Sequence, residues 1–375
     1  MSAPTGRTHS GEFEEIAVER GSRSGALMAI AVHSTVLGPA LGGARMWHYP
    51  DGDHAVADAM RLAEAMTHKA AAAALDLGGG KGVIATPAEA APDGRLRRAI
   101  LLDFGDLVES LEGRYVTAED VGTSAEDMAV IAERTTHVVG LGSDHGGSGD
   151  PSPVTALGVR AAMRACAGHA WGTPDLASRR VTLIGFGHVG SHLAELLAAD
   201  GAELAITDVN PARRGPAEAL GARWIEPVEA LAADCDVLAP CALGGLIDAP
   251  AAERLRCRVL CGAANNVLAD PGVADLLEAR GVVYAPDFIA NAGGLISVYG
   301  DLHRTPHGRA VELAAGIETT IGVVLEEARR RGITSLAAAR RRSLARLGSA
   351  HREPGRGVHT ATGSTQPAGA RMRHS

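Results

Sequence analysis

Apolar runs alternate with helical patterns along most of the chain, and residues 181–208 combine the two most clearly. Residues 181–184 form a short apolar run that predicts a buried strand, and three glycines follow in the spacing G-x-G-x-x-G. A pattern typical of a helix continues to Gly201, and a second apolar run ends in Asp208. The order strand, glycine turn, helix, strand, acid is typical of a βαβ unit that binds a dinucleotide.

Each glycine of this turn has a distinct expected task. Gly185 permits the tight turn out of the strand, Gly187 lets a pyrophosphate approach the backbone, and Gly190 lets the helix pack on the strand. Asp208 is expected to accept hydrogen bonds from the adenosine ribose hydroxyls and to repel a 2′-phosphate, which favours NAD. Arg213 and Arg214 follow closely, and an arginine can hold that phosphate.

The pattern continues beyond Asp208 in the same style. Strand-like runs at 237–239, 259–261 and 282–284 alternate with predicted helices around 228–233, 250–255 and 272–280. This predicts a doubly wound parallel sheet, in which ligands bind at the carboxyl ends of the strands. The segments APCALGG and CGAANN lie at such ends. The predicted cofactor-binding residues are Gly185, Phe186, Gly187, His188, Val189, Gly190, Asp208, Thr155, Cys241, Ala242 and Asn265.

The first half of the chain predicts a strand over 26–37 and a helix from about residue 56 that carries Lys69. Between them, the proline and glycines of 38–47 predict a loop, which is either a ligand contact or a plain turn. Lys81 follows a glycine run and leads into an apolar strand. A lysine is usually a solvated surface group, but buried or glycine-lined surroundings favour a functional role for this pair.

A strand near residue 115 ends in Glu119 and Asp120, and a helix capped by Thr123 or Ser124 is expected next. An acid at the end of a buried strand is either a structural cap or a catalytic group, and the residues alone leave both open. Amphipathic periodicity predicts another helix over 96–112.

The domain organisation follows from these patterns. We expect a substrate domain over 11–150, a hinge near 145–152, and a nucleotide-binding domain over 151–290. A glycine loop from residue 291 and a helix over 308–331 are expected to return to the first domain, within 291–345. Residues 1–10 and the tail 349–375 are polar and are expected to be disordered.

Composition narrows the functional classes. The 375 residues suggest about two domains, with 46% hydrophobic and 21% charged residues. No signal segment or membrane-length apolar run occurs, which predicts a cytoplasmic protein, and an odd number of cysteines fits reduced thiols. The net charge of −8 and scattered basic residues disfavour nucleic acid as a partner. The i, i+4 histidine pairs lack a further ligand pattern, so no metal site is predicted.

With these pieces placed, residues 26–345 resemble the leucine, valine and phenylalanine dehydrogenases, relatives of glutamate dehydrogenase. The motifs that carry the resemblance are GPALGGARMW, MTHK, GGGKGV, TAEDVG, GDPSPVTALGV, GFGHVG, APCALGG, GAANN and YAPDFIANAGG. The resemblance implies a two-domain α/β fold with a cleft between the domains. It also implies reversible, NAD-dependent oxidative deamination of an L-amino acid to a 2-oxo acid and ammonia by a homo-oligomer.

The resemblance also implies residue roles. Lys69 would bind the substrate carboxylate, Lys81 would be the general base that activates water, and Asp120 would exchange protons with the amine. Asn265 would lie near nicotinamide and substrate, and Gly43 would line the substrate pocket. The residues that resemble side-chain pocket walls are Leu41, Ala118, Leu295 and Val298.

Leu41 takes space that a phenyl ring would need, which favours leucine, valine or isoleucine as substrate, with phenylalanine as the alternative. The segment 299–309 looks shortened relative to the family, which affects the oligomeric contacts and part of the cleft wall. Two further alternatives are a hydroxy-acid or malic-type dehydrogenase and a catalytically silent NAD-binding regulatory protein. The lysine pair with Asp120 argues against both.

Overall fold

The computed structural model describes residues 6–10, 12–86, 92–142, 144, 147 and 149–352, and these form two six-stranded sheets with helices. The strands of the first sheet are β1 Gly6–Ser10, β2 Phe13–Arg20, β3 Leu27–Ser34, β4 Ala40–His48, β5 Gly78–Thr86 and β6 Tyr115–Glu119. They lie in the order β1-β2-β3-β5-β4-β6. Strand β4 is parallel to both β5 and β6, whereas the other pairs are antiparallel.

Three helices accompany this sheet: α1 Gly52–Ala72, α2 Gly94–Glu109 and α3 Ala125–Ile131. Each begins where a side chain accepts a hydrogen bond from the first turn, namely Asp51, Asp93 and Ser124. Ser124 forms a complete capping box with Asp127, so the predicted cap of α3 is confirmed. The buried face of α1 is mostly alanine, and α1 therefore packs closely on β5 and β3.

The loop predicted over 38–47 is wrong, because Ala40–His48 is the strand β4, which lies between β5 and the edge strand β6. The glycine run before Lys81 also lies inside β5. These glycines allow neighbouring strands and side chains to approach the backbone closely, and they do not form a turn. A Cβ on Gly42 would collide with the carbonyl oxygen of Gly80, and a Cβ on Gly80 would lie 2.6 Å from the Tyr115 ring.

The second sheet is entirely parallel, as predicted, in the order β12-β11-β10-β7-β8-β9. Its strands are β7 Arg180–Ile184, β8 Glu203–Thr207, β9 Arg223–Trp224, β10 Val237–Pro240, β11 Val259–Leu260 and β12 Val283–Tyr284. From β7 the chain forms β8 and then β9 on one side, and it then crosses to β10 on the other side of β7. The topological switch point therefore lies between β7 and β10.

The helices of this half are α4 Ser152–Trp171, α5 His188–Ala199, α6 Arg214–Ala219, α7 Ala249–Arg254 and α8 Val273–Ala279. Two further segments, Pro211–Arg213 and Pro227–Ala232, form 3₁₀ turns, and the second occupies the helix predicted at 228–233. The predicted hinge lies partly outside the described residues. Its last residue, Ser152, is the first of α4.

Five helices follow in the described part of the chain: α9 Asp287–Ala290, α10 Gly293–Leu302, α11 His307–Ala315, α12 Ile317–Arg331 and α13 Ser335–Arg352. The glycine loop predicted from residue 291 is wrong, since α10 begins at Gly293. A Cβ there would collide with the backbone of Thr155, so the glycine lets α10 cross α4 closely. None of the described helices is long and apolar enough to cross a membrane.

The helix predicted over 308–331 is divided into α11 and α12, which pack on α4 together with α10. The helix that packs on α1 of the first half is α13. Arg346 of α13 donates to the carbonyl oxygen of Leu75 at 2.7 Å and pairs with Asp76 at 2.7 Å, beyond the C-terminal end of α1. Two expectations of disorder are corrected here. Residues 6–10 form β1, and residues 349–352 belong to α13, while 353–375 lie outside the described residues.

Candidate active site

The turn after β7 has the geometry expected of a phosphate-binding loop. Gly185 has φ +103°, and a Cβ there would lie 2.8 Å from the Cβ of Ala242. A Cβ on Gly190 would collide with the Gly185 carbonyl oxygen, so α5 packs tightly on the turn. Gly187 is different, because a Cβ there would meet nothing within 4 Å. The backbone beside Gly187 is therefore open to a ligand at the N-terminus of α5, where helix N–H groups attract phosphate.

The other predicted cofactor residues surround this switch point. Cys241 and Ala242 follow β10, and the Cys241 N–H donates to the Ile184 carbonyl oxygen at 2.7 Å, which holds the two strand ends together. Phe186 is buried, whereas His188 is exposed and lies 3.9 Å from Asp150. Val189 is half-buried and packs against the main hydrophobic cluster.

Asp208 lies directly after β8, and its two oxygens accept backbone hydrogen bonds. Oδ2 accepts from the Phe186 N–H at 2.7 Å and Oδ1 from the Asn210 N–H at 2.8 Å. Each carboxylate oxygen has a second lone pair, so ribose hydroxyls can still bind. Of the downstream arginines, Arg214 pairs with Glu218 at 2.8 Å, so the two arginines are not equally available to a phosphate.

A second group of residues lies where β5 and β6 run side by side with β4. Lys81 Nζ donates to Asp120 Oδ2 at 2.9 Å. The Lys81 side chain is 6% exposed, and that of Asp120 is 23% exposed. The structure therefore brings together two residues that lie far apart in sequence and buries the lysine of the pair.

Burial lowers the pKa of Lys81 from its ordinary value of 10.5, although the charge of Asp120 opposes the shift. Arg45 also lowers this pKa. For Asp120, burial would raise the pKa, but the charges and hydrogen bonds of Lys81 and Arg45 lower it overall. Asp120 is thus ionised at neutral pH, and Lys81 loses its proton more easily than an exposed lysine.

Lys69 lies in the last turn of α1 and is half-buried. Burial lowers its pKa to about 8, Asp287 opposes that shift, and Lys81 adds to it. Asp287 begins α9 and is itself buried, which raises the pKa of its carboxyl. The charges of α1, β5 and α9 therefore act on one another, and Lys69 lies where the two halves of the molecule meet.

The loop that carries Asn265 is held by two residues that the sequence analysis quoted without assigning a role. Asn291 Nδ2 donates to Asn265 Oδ1 at 2.8 Å, and Asp287 Oδ2 accepts from the Val267 N–H at 2.8 Å. Because Asn265 Oδ1 is used by Asn291, its amide NH₂ remains to donate to a ligand. Both residues stood inside the segment PDFIANAGG, and that position was the only signal for them in the sequence.

The proposed side-chain pocket residues all belong to, or pack against, one large hydrophobic cluster. Leu41, Ala118 and Leu295 are buried members of one hydrophobic cluster, and Val298 packs against it. Leu41 pairs with Gly79 of β5 and Val116 of β6. Gly43 pairs with Ala118, and a Cβ on Gly43 would lie 2.7 Å from the Cβ of Asp120. Gly43 therefore allows the backbone to approach Asp120 closely.

Thr155 lies in the first turns of α4, where its hydroxyl donates to the Pro151 carbonyl oxygen at 3.0 Å. It also lies against Gly293 and Gly294 of α10. Thr155 therefore stands between the nucleotide-binding half and the segment that carries Leu295 and Val298.

Comparisons with known proteins show which families and folds this chain resembles. The family model described as Glu/Leu/Phe/Val dehydrogenase, dimerisation domain, matches residues 15–137. The Glutamate/Leucine/Phenylalanine/Valine dehydrogenase model matches residues 211–355. A third model, the NAD binding domain of D-isomer specific 2-hydroxyacid dehydrogenase, matches residues 158–243.

Among curated relatives, the leucine dehydrogenase of Bacillus cereus is 41% identical over 339 residues, covering 90% of this chain and 92% of the relative. The valine dehydrogenase of Streptomyces coelicolor is 42% identical over 351 residues, covering 92% of this chain and 94% of the relative. The solved L-tryptophan dehydrogenase of Nostoc punctiforme superposes with a TM-score of 0.81 and 32% identity, covering 91% of this chain and 98% of that one. A hetero-hexameric glutamate dehydrogenase from Thermus thermophilus shares the fold, with a TM-score of 0.74 at 22% identity, covering 91% of this chain and 89% of that one.

Proposed function

This chain belongs to the Glu/Leu/Phe/Val dehydrogenase family, and from that premise we propose that its substrate is a branched-chain aliphatic L-amino acid. The reaction is the reversible oxidative deamination of the amino acid to its 2-oxo acid and ammonia with NAD. The observation that carries the proposal is the ion pair between the buried Lys81 and the partly exposed Asp120, 2.9 Å apart, beside Lys69.

In this proposal Lys81 is the general base. Loss of hydride from the α-carbon leaves an iminium carbon, which water must attack while a base removes a proton. Lys81 suits that role because burial lowers its pKa, and the neutral amine can then accept the proton. The same amine, once protonated, returns a proton in the reverse direction.

Asp120 and Lys69 orient the substrate. Lys69 binds the substrate carboxylate as an ammonium, and Asp287 on the facing helix helps to keep it charged. Asp120 accepts and returns the protons of the amino group, because its pKa is lowered and it is ionised at neutral pH. Asn265 donates its amide N–H to the substrate or to the nicotinamide.

The turn after β7 fits a dinucleotide, because the backbone at Gly187 is open to a pyrophosphate and Asp208 offers a carboxylate to the ribose. When bound, the nicotinamide would accept the hydride from the α-carbon. Gly185, Gly187 and Gly190 hold the pyrophosphate turn, and Asp208 binds the adenosine ribose. We infer NAD in preference to NADP because the Asp208 carboxylate would repel a 2′-phosphate.

The substrate class follows from the apolar wall. Leu41, Ala118, Leu295 and Val298 carry no charge that could pair with a second carboxylate, so an apolar side chain is preferred to that of glutamate. Leu41 reduces the room for the substrate side chain, which favours leucine, valine or isoleucine over an aromatic amino acid. The similarity to a tryptophan dehydrogenase is the reason to include aromatic acids in the test.

The test is a screen of NADH oxidation with ammonia and a panel of 2-oxo acids that includes branched aliphatic, aromatic and acidic members. The proposal predicts ammonia-dependent turnover that is greatest with the branched aliphatic acids. Turnover without ammonia would indicate a hydroxy-acid dehydrogenase instead. Absence of turnover with measurable NADH binding would indicate a silent regulatory protein.

Self-assembly is part of the proposal. The N-terminal family model is described as a dimerisation domain, and a relative of the same fold is hetero-hexameric. All five cysteines are free, which is compatible with the reducing cytoplasm expected from the sequence. Light scattering on the purified chain would give the subunit number directly, and a monomer at all concentrations would contradict this part of the proposal.

A further inference from the structure

Arg45 lies between two carboxylates beside the proposed catalytic pair. It stands near the end of β4 and is partly buried, with 23% of its side chain exposed. Its Nε donates to Asp120 Oδ2 at 3.0 Å, and its Nη1 donates to Asp58 Oδ2 at 3.1 Å. One planar guanidinium thus bridges α1 and the end of β6, which the single ammonium of a lysine could not do in the same geometry.

The contacts of Asp120 are strongly one-sided. Oδ2 accepts from both Lys81 and Arg45, whereas no hydrogen bond from the described residues reaches Oδ1. The backbone is fixed as well, because the Asp120 N–H donates to Thr123 Oγ1 at 2.9 Å, and that hydroxyl donates to the Ala44 carbonyl oxygen at 2.8 Å. The carboxylate plane therefore has little freedom to rotate.

Asp58 anchors Arg45 from the other side. Its Oδ2 also accepts from the Tyr49 hydroxyl at 2.7 Å, and its Oδ1 accepts from Arg61 at 2.6 Å. Burial, together with the hydrogen bond to Asp58, raises the pKa of Tyr49, which remains a proton donor. Asp58 is thus ionised and fixed, so Arg45 is held on both sides.

We propose that Arg45 is a positioning residue for the reaction: with Lys81 it holds Asp120 by Oδ2, so that Oδ1 is presented to the substrate amino group. This rests on the proposed function. Arg45 touches neither substrate nor cofactor in this scheme and acts through Asp120. The same cation stands near Lys81 and disfavours its protonated form, in agreement with its effect on the Lys81 pKa.

Other charges around the pair set the background for any pH effect. On α1 these are Asp58, Arg61 and Lys69, and on α9 there is Asp287. On β6, Glu119 precedes Asp120 in the chain, and the Tyr115 hydroxyl donates to the Gly42 carbonyl oxygen. Of these groups, Arg45 alone donates a hydrogen bond to the carboxylate that Lys81 also binds.

The test compares Arg45→Gln, Arg45→Lys and a control, Arg98→Gln, which removes an arginine from an exposed ion pair with Glu133 in the same domain. In the unmodified enzyme kcat/KM for oxidative deamination should rise with pH as Lys81 loses its proton. We call this rising part of the pH profile the limb. Loss of the Arg45 cation raises the pKa of Lys81, so the limb should move to higher pH by about one unit in Arg45→Gln. Turnover should fall more than tenfold in Arg45→Gln, and Arg45→Lys should restore the limb but only part of the turnover. The control should leave the limb in place.

A second readout does not depend on turnover. The pH dependence of Lys81 modification by an amine-reactive anhydride, followed by peptide mass spectrometry, reports the same proton and should shift in the same direction. If the limb and the modification profile of a folded Arg45→Gln variant match those of the control, Arg45 has only a structural role and the proposal is wrong. If the unmodified enzyme deaminates no amino acid but the modification profile still shifts, the proposed function fails and the electrostatic role of Arg45 stands.

Discussion

Replacing Leu41 by alanine tests whether this side chain sets the size of the substrate pocket. Leu41 is 2% exposed and lies on β4, between Gly79 of β5 and Val116 of β6. Gly79 has no side chain, and the backbones of β5 and β6 are held in the sheet. The variant should therefore retain much of the cavity. A phenyl ring could then occupy volume that the leucine side chain fills in the unmodified protein.

The expected magnitude follows from the three carbon atoms that are removed. Each buried CH₂ contributes about 0.8 kcal/mol, so Leu41 contributes about 2.4 kcal/mol in total, and the substrate meets only part of that surface. A loss of about 1 kcal/mol of contact would lower kcat/KM for L-leucine about fivefold. Entry of the ring should raise kcat/KM for L-phenylalanine about tenfold, within the ~1–3 kcal/mol that apolar pockets discriminate.

The assay is kcat/KM for L-leucine, L-valine and L-phenylalanine at saturating NAD, with the unfolding temperature measured in parallel. Loss of a buried leucine costs about 2–5 kcal/mol of stability, so the change in specificity must be separated from destabilisation. Leu77→Ala is the matched control, because Leu77 is equally buried in the same hydrophobic cluster. If the ratio of phenylalanine to leucine efficiency changes equally in both variants, or in neither, Leu41 does not wall the pocket.

Three further predictions follow from other parts of the molecule. Lys81→Ala should lower turnover by several orders of magnitude with NADH binding by fluorescence unchanged, because the proposed base lies outside the nucleotide-binding sheet; substantial residual turnover would contradict this role. NAD should give much higher kcat/KM than NADP, and Asp208→Ser should narrow that difference, whereas equal efficiency in the unmodified enzyme would mean that a basic residue such as Arg213 holds a 2′-phosphate. Arg346→Ala should lower the free energy of unfolding by about 1.5–3 kcal/mol, since charged hydrogen bonds to the end of α1 are lost. Thermal unfolding measures the loss, with Arg340→Ala, which removes an exposed arginine of the same helix, as the control. An equal loss in both variants would refute the role of Arg346.

Local patterns in the sequence were sufficient for the nucleotide-binding half. The glycine spacing after a predicted strand, the alternation of apolar runs with helices and the acid at residue 208 all depend on neighbours within about thirty residues. The parallel sheet, the tight turn at Gly185 and the close helix packing at Gly190 were therefore predictable. The cap of α3 at Ser124 was predictable for the same reason.

The first half was harder, because its glycines have a long-range cause. Positions 42 and 80 admit only glycine, because a neighbouring strand and the Tyr115 ring leave no room for a Cβ. Nothing in the local sequence distinguishes Gly42 and Gly80 from glycines of a turn. The stretch 38–47 was therefore predicted as a loop, although most of it belongs to β4, a strand paired on both sides. The same reasoning applies to Gly293, which faces α4.

The sequence alone, through its motifs, singled out the residues that we propose to carry the chemistry: Lys69, Lys81, Asp120 and Asn265. Only the tertiary structure decided their electrostatics and supports. It placed Arg45 on Asp120, Asn291 on Asn265 and α13 on the end of α1, through contacts between residues that stand 26 to about 270 positions apart. Hydrogen-bond geometry and burial depend on where distant segments meet, and the local pattern of a chain does not record that.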